Sequence, residues 1–202
     1  MPHLTFISTS EDDSYLIETQ LIRRISSGAL TSLQYVNLRR STFIPDEFQS
    51  YSLHSITFHC NNLIMIRNIL YSSPNLSTLK VIIDANRYDA FAPIPSTINH
   101  SLKYFILIDS YSTLSTNNID NILPYLQNLQ RIELSFNCDI PFIHFAQNLI
   151  KRLPHLNRFD CHIHEAPNDD TANIKILREI HPSFNRLQYI TDEYGYRTYT
   201  TN

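Results

Sequence analysis

The sequence predicts an α/β solenoid, in which a curved parallel sheet forms the concave face and helices and loops form the convex face. Three observations predict this class. A short apolar phrase recurs at near-regular spacing, segments with helical periodicity separate several of its copies, and no linker or low-complexity segment interrupts them. Stacked units of this kind bury one another's apolar faces. We therefore predict one domain over residues 1–202, with about seven irregular repeats.

The recurring phrase is a leucine, two variable residues, an apolar residue, one variable residue and a second apolar or small residue. Its seven copies begin at Leu33, Leu53, Leu76, Leu102, Leu129, Leu156 and Leu187. The intervals between these leucines are 20, 23, 26, 27, 27 and 31 residues. Because side chains alternate across a strand, each copy predicts a strand with one buried face. The last copy, Leu187/Ile190/Asp192, is decayed, and a weaker copy, Leu4/Ile7/Thr9, precedes the first.

Helix signals lie between several of the predicted strands. A segment capped by Ser10 stops at Gly28, and two further apolar stripes end before Pro74 and at Pro124. Residues 39–52 and 85–101 predict no helix, because the first segment is too short and the second carries two prolines.

The clearest helix signal runs from Pro141 to Leu153, where apolar residues recur at i, i+3, i+4 and i+7. A last helix is predicted to open at Asp169-Asp170. Its apolar residues are expected to point inward, and they are Ile176, Leu177 and Ile180.

The most regular copy runs Leu126-x-x-Leu129-x-x-Ile132-x-Leu134-x-x-Asn137, and connectors such as Ser72-Ser73-Pro74-Asn75-Leu76 join neighbouring copies. These residues resemble the repeat region of F-box and leucine-rich-repeat proteins of the irregular intracellular type. The resemblance covers residues 30–190. It implies a leucine-rich-repeat solenoid that recognises protein partners. Members of that family often recognise substrates for ubiquitin ligases, and they dock to the ligase through an N-terminal F-box.

One stretch, Ile44-Pro45-Asp46-Glu47-Phe48, resembles the opening phrase of an F-box. An F-box continues with amphipathic helices, whereas here a repeat strand is predicted from Leu53. We therefore interpret Pro45 as the start of a single helical turn, and the F-box itself is not seen. Two interpretations stay open. The chain is either the substrate-recognition part of a ubiquitin ligase, acting as an adaptor, or a ligase-independent binding or inhibitory scaffold.

Composition excludes several classes of function. Hydrophobic residues make up 43% of the 202, enough for a core, and the net charge of -3 gives no electrostatic reason for binding nucleic acid. No apolar run approaches the roughly 20 residues that span a bilayer, and the first residues lack the features of a secretory signal. Two isolated glycines cannot form a glycine-rich phosphate loop. We expect an intracellular protein, cytoplasmic or nuclear, without nucleic-acid or membrane partners.

The cysteines and histidines are predicted to have structural roles rather than catalytic or metal-binding ones. Cys60, Cys138 and Cys161 are far apart and odd in number, which predicts reduced, buried thiols. The densest group of ligand-type residues is the D-C-H-I-H-E run at 160–165. Alternate strand residues face opposite ways, so this run predicts one buried cysteine and two surface histidines rather than a metal site. We expect no catalytic residue, cofactor or metal, and an enzyme is only a third alternative.

The candidate site is the concave strand face. Its expected partner-binding residues are Ile82, Tyr104, Ile106, Ile108, Arg131 and Arg158. The first four form an apolar patch where polar residues are usual, and the two arginines flank it. Contiguous apolar surface, aromatic side chains and arginine are typical of protein interfaces. The alternatives are that these are simply good strand residues, or that another segment covers them. The loop Tyr88–Pro95, with Phe91, is the second candidate surface.

Overall fold

The computed structural model describes residues 5–9, 15–39, 49–60, 63–84, 100–111, 113–166 and 174–201. This part of the chain has an α/β fold built on one nine-stranded sheet. The strands are β1 (Phe6–Ser8), β2 (Tyr35–Leu38), β3 (Ser55–Cys60), β4 (Thr78–Ile83), β5 (Tyr104–Asp109), β6 (Arg131–Cys138), β7 (Arg158–Glu165), β8 (Gln188–Thr191) and β9 (Arg197–Thr200). Strands β1 to β7 pair in parallel in chain order. β9 then pairs antiparallel with both β7 and β8, so the sheet does not close.

Five helices are described: α1 (Tyr15–Ser26), α2 (Ile64–Ser72), α3 (Thr116–Ile122), α4 (Phe142–Arg152) and α5 (Ile174–Ile180). The end of α1 agrees with the predicted stop at Gly28, whose φ of 70° is one that glycine adopts readily. The backbone N–H groups of Gly28 and Ala29 donate to the carbonyls of Ile25 and Arg24, both at 3.1 Å. These two bonds form a Schellman motif, which satisfies carbonyls that a helix end otherwise leaves unpaired.

One face of the sheet and the inner sides of the helices form the core. Strands β3, β4 and β5 alternate strictly between buried and half-exposed residues. The buried members join helix residues in one apolar cluster, in which Phe136 of β6 contacts Phe145 of α4 with ring centroids 5.3 Å apart. We call the opposite side of strands β2 to β7, whose residues alternate with the buried ones, the open face.

Neighbouring units are joined by the same backbone hydrogen bonds each time. Just before a strand, one carbonyl accepts the N–H groups of two consecutive residues in the next unit. These acceptors belong to Thr5, Gln34, His54, Ser77, Lys103 and Gln130. The turn before the strand also recurs, since the N–H groups of Leu76, Leu129 and Leu156 each donate to the carbonyl three residues earlier. The leucine phrase therefore marks one repeated local geometry.

The strands predicted from the first six copies are confirmed, and the weak copy at Leu4 corresponds to β1. The seventh copy also forms a strand, β8, but its predicted place as a further parallel repeat strand is wrong. Leu187 is buried and makes the repeated turn to Phe184, but Ile190 is 70% exposed. Asp192 belongs to the turn of a hairpin, where its carboxylate accepts from the N–H groups of Tyr194 and Tyr196 at 2.9 Å. The hairpin places β9, not β8, against β7, so the parallel order ends there.

The helices predicted at α2, α3 and α4 are confirmed, and so is the buried apolar stripe of α4. In α5, Leu177 is buried as expected, but the inward prediction for Ile176 is wrong, since its side chain is 46% exposed. Several predicted features lie outside the described residues. They are the Ser10 cap, the Ile44–Phe48 phrase, most of the two segments without a helix, the Asp169-Asp170 helix start and the loop Tyr88–Pro95.

Candidate binding face

All six candidate residues lie on the open face, where strand register brings them together. Tyr104 is opposite Arg131, which is in turn opposite Arg158. Ile82 is opposite Ile108 on the neighbouring strand. Ile106, one row away, has Lys80 and Glu133 as its two register partners.

The isoleucines form the apolar half of this surface. Ile82, Ile106 and Ile108 are half-exposed, whereas Phe105 and Leu107, which alternate with the two isoleucines of β5, are buried. The difference follows from the side-chain alternation of a strand, which sends Phe105 and Leu107 toward the helices. We call these three side chains the isoleucine patch.

Tyr104 connects the patch to charged residues. The guanidinium carbon of Arg131 lies 4.4 Å from the centre of the Tyr104 ring, a cation–π contact. The Tyr104 hydroxyl donates to the Glu133 carboxylate at 3.0 Å. Burial, together with this bond to Glu133, raises the pKa of Tyr104 to about 12. The hydroxyl therefore stays protonated at neutral pH and acts as a fixed donor.

The charged half is organised around Asp160. Its Oδ2 accepts from the Nε of Arg158 at 2.7 Å and from the Nε of Arg131 at 2.9 Å. Its Oδ1 accepts from Nη1 of Arg186 at 3.3 Å. Asp160 is only 8% exposed although it lies on the open face, because the arginines cover it. We call Asp160 with Arg131, Arg158 and Arg186 the arginine cluster.

Sequence reasoning missed Asp160 and Arg186 as members of this site. The repeat register does place Asp160 beside Glu133 and one row from both strand arginines, so that signal was available. Nothing in the repeat pattern indicates Arg186, which precedes β8. The guanidinium of Arg186 is held by the cluster and by the Thr201 carbonyl at 3.0 Å. The contact of Arg186 with Thr201 exists only because the hairpin brings the C-terminal residues back to β7.

The cysteines are buried, as expected. Burial raises the pKa of Cys138 to about 12 and also raises the pKa of Cys161. A thiol that is buried and protonated at neutral pH is a poor nucleophile. Chemistry based on an activated cysteine therefore has no support at these two positions.

The two histidines of β7 differ from each other. His162 is exposed as predicted, but His164 is half-buried and its Nδ1 lies 3.0 Å from the Thr198 hydroxyl of β9. Their rings meet edge to face with centroids 4.8 Å apart. Burial, and secondly the proximity of His162, lower the pKa of His164. Within the described ranges, no group of three or more His, Cys, Asp or Glu side chains is arranged to hold a metal ion.

Comparison of the sequence with protein-family models and with curated proteins finds no match. In the described part of the chain, no helix combines the length and the apolar content needed to cross a membrane.

Proposed function

We propose that this chain is a protein-recognition module of the leucine-rich-repeat type, which binds a protein partner through the open face. The observation that carries the proposal is the isoleucine patch lying directly beside the arginine cluster on one half-exposed sheet face. Interface centres combine aliphatic and aromatic anchors with arginine in this way. The repeated turn and carbonyl geometry supports the leucine-rich-repeat part of the proposal.

The double substitution Ile106→Glu with Ile108→Lys tests the binding face. Both side chains are half-exposed, so the charges remain in contact with water and the circular dichroism spectrum is expected to be unchanged. The folded variant should lose the main partner that the wild-type chain captures from cell extract. Ile176→Glu, at an exposed isoleucine on α5, is the matched control and should keep that partner. A folded double variant that retains every partner would remove the open face as the binding site.

The narrower proposal, adaptor function in a ubiquitin ligase, comes from the sequence resemblance. Direct binding of the chain to a purified ligase adaptor protein would separate it from a ligase-independent scaffold. The partner-capture experiment applies equally to both.

A further inference from the structure

We infer that the open face binds an extended acidic peptide segment that also carries an aliphatic side chain. This inference rests on the proposed function and specifies the class of partner. The acidic residues would contact the arginine cluster, and the aliphatic side chain would lie on the isoleucine patch.

The first argument is charge. On strands β4 to β7 and at Arg186, four cationic side chains share the open face with two carboxylates. The cations are Lys80, Arg131, Arg158 and Arg186, and the carboxylates are Glu133 and Asp160. Asp84, just beyond the end of β4, is hydrogen-bonded to His59. The chain as a whole carries a net charge of -3, so this surface has the opposite sign to the molecule. An acidic segment is complementary to it.

The second argument is preorganisation. One carboxylate, Asp160, holds three guanidinium groups at one place. The side chains of Arg158 and Arg186 are nevertheless 46% and 56% exposed. Arg158 donates through Nε, and its terminal nitrogens have no partner among the described residues. A guanidinium fixed in this way can offer further N–H groups to a carboxylate without losing much side-chain entropy on binding.

The third argument is spacing. Arg158 on β7 is in register with Tyr104 on β5, so Ile106 and Ile108 lie two strands away from it and two and four residues further along the strand direction. With about 4.8 Å between strands and about 3.3 Å per residue along a strand, the backbone of Arg158 is about 12 Å from that of Ile106 and about 16 Å from that of Ile108. An extended chain advances about 3.3 Å per residue, which makes these separations about four and about five residues of peptide. The expected ligand therefore has an aliphatic residue and a carboxylate four or five positions apart, on a segment that crosses the strands obliquely.

The test uses short fluorescein-labelled Gly/Ser peptides that contain one leucine and two adjacent glutamates, with the spacing between them varied from one to six residues. Matched peptides carry glutamine in place of glutamate, and an oligothymidine of similar length tests for general anion binding. Each probe is titrated to millimolar concentration against the full chain, at low and at high salt, by fluorescence anisotropy. The proteins are wild type, Arg158→Gln, Arg158→Glu and the control Arg23→Glu on α1, an exposed arginine away from the sheet.

We expect the glutamate peptides to bind more tightly than the glutamine peptides, with the optimum at three or four intervening positions and weaker binding at high salt. Arg158→Glu should reduce affinity roughly tenfold or more, because it removes a charge-assisted hydrogen bond and places a repelling carboxylate at the site. Arg158→Gln, which leaves Arg131 and Arg186 on Asp160, should reduce it less. Arg23→Glu should bind like the wild type.

Four results would each overturn the inference: equal binding of glutamate and glutamine peptides, no effect of Arg158→Glu, tighter binding of oligothymidine than of any peptide, or no binding by any glutamate peptide. None of these results bears on the partner-capture test, in which the isoleucine variant is decisive. A partner lost by the Ile106/Ile108 variant but kept by Arg158→Glu would leave the proposed function in place and remove only the acidic class.

Discussion

The parallel strands β3 to β6 and the C-terminal hairpin β8–β9 belong to the same sheet but are stabilised by different interactions. In the parallel part, each strand buries every second side chain in the apolar cluster, and the next unit repeats the same backbone bonds. In the hairpin, Ile190 is exposed and Tyr199 is the one fully buried large side chain of the two strands. The hairpin is attached by the backbone pairing of β9 with β7, by the Tyr199 ring, which stacks on Phe142 with centroids 4.2 Å apart, and by specific polar contacts to β7.

Glu165 of β7 is the centre of that attachment. It is buried and accepts from the Tyr199 hydroxyl at 2.9 Å and from Nη1 of Arg197 at 3.2 Å. It also accepts from the Phe142 N–H at 2.7 Å, at the start of α4. Near the other end of β9, the N–H of Cys161 donates to the Thr201 hydroxyl at 3.0 Å. Stability in the parallel part is therefore spread over many equivalent apolar contacts, whereas the hairpin depends on a few particular residues.

The largest effect is expected in the parallel part. Leu129 is fully buried and forms the repeated turn with Leu126, so Leu129→Ala should lower the free energy of unfolding by about 2–5 kcal/mol. Urea denaturation measures this change. Gln127→Ala, an exposed position in the same turn, is the control and should change it by about 0.5 kcal/mol or less. Equal midpoints for the two variants would contradict the register of β6.

Substitution at the hairpin attachment should have a smaller and more local effect. Glu165→Gln keeps the shape of the side chain but removes the charge that Arg197 pairs with, and should cost about 1–3 kcal/mol. Hydrogen exchange should accelerate over residues 188–201 and change little over 131–138, because polar contacts to β7 hold the hairpin. Glu179→Gln, on an exposed site of α5, should leave both segments unchanged. Uniform acceleration along the chain would show that the two regions unfold as one unit.

Acidification should destabilise the two regions to different extents, because each contains a histidine whose pKa is lowered. His100 is buried, with Nε2 2.8 Å from the Ser73 carbonyl and Nδ1 accepting the Leu102 N–H at 3.0 Å, which is the pattern of a neutral ring. Burial lowers its pKa below the ordinary 6.5, against the opposing effect of the bond to Ser73. The unfolded chain therefore takes up a proton first as pH falls through 6.5, and the folded state loses stability below that pH.

The measurement is the free energy of unfolding as a function of pH from neutral to mildly acidic. His100→Gln, in the parallel part, should make the free energy of unfolding less dependent on pH. His164→Gln, beside the hairpin, should reduce this dependence less, because the half-buried His164 loses less solvation than the buried His100. His155→Gln, at an exposed turn, is the control. A wild-type slope in the His100→Gln variant would contradict the assignment of a neutral buried ring.

The smallest effect is expected for a single bond between units. Asn75 precedes its buried leucine and donates to the Tyr51 carbonyl of the preceding unit at 2.8 Å. Asn75→Ala should cost about 0.5–1.5 kcal/mol in urea denaturation, the usual contribution of one hydrogen bond. Asn157→Ala, at an exposed asparagine that follows its leucine, should cost less. The reverse order would mean that the polar residue before the leucine does not join the units.

The sequence determined the parallel part of the fold because that part depends on period and burial. Six copies of the phrase predicted six strands, and the alternation within them placed Ile106 and Ile108 on the half-exposed face and Phe105 and Leu107 in the core. These features follow from side-chain geometry within one strand, so the local spacing of residues is sufficient to predict them.

Only the tertiary structure decided how the parallel order ends and what surrounds Asp160. The decayed copy at Leu187 keeps its buried leucine and its turn, so its local pattern does not distinguish a seventh parallel strand from the outer strand of a hairpin. The choice depends on the contacts of Glu165 with Arg197 and Tyr199, which lie more than thirty positions further along the chain. Arg186 reaches Asp160 for the same reason, from 26 positions away. Contacts between residues so distant in the sequence leave no periodic pattern in it, and only the folded chain brings these residues together.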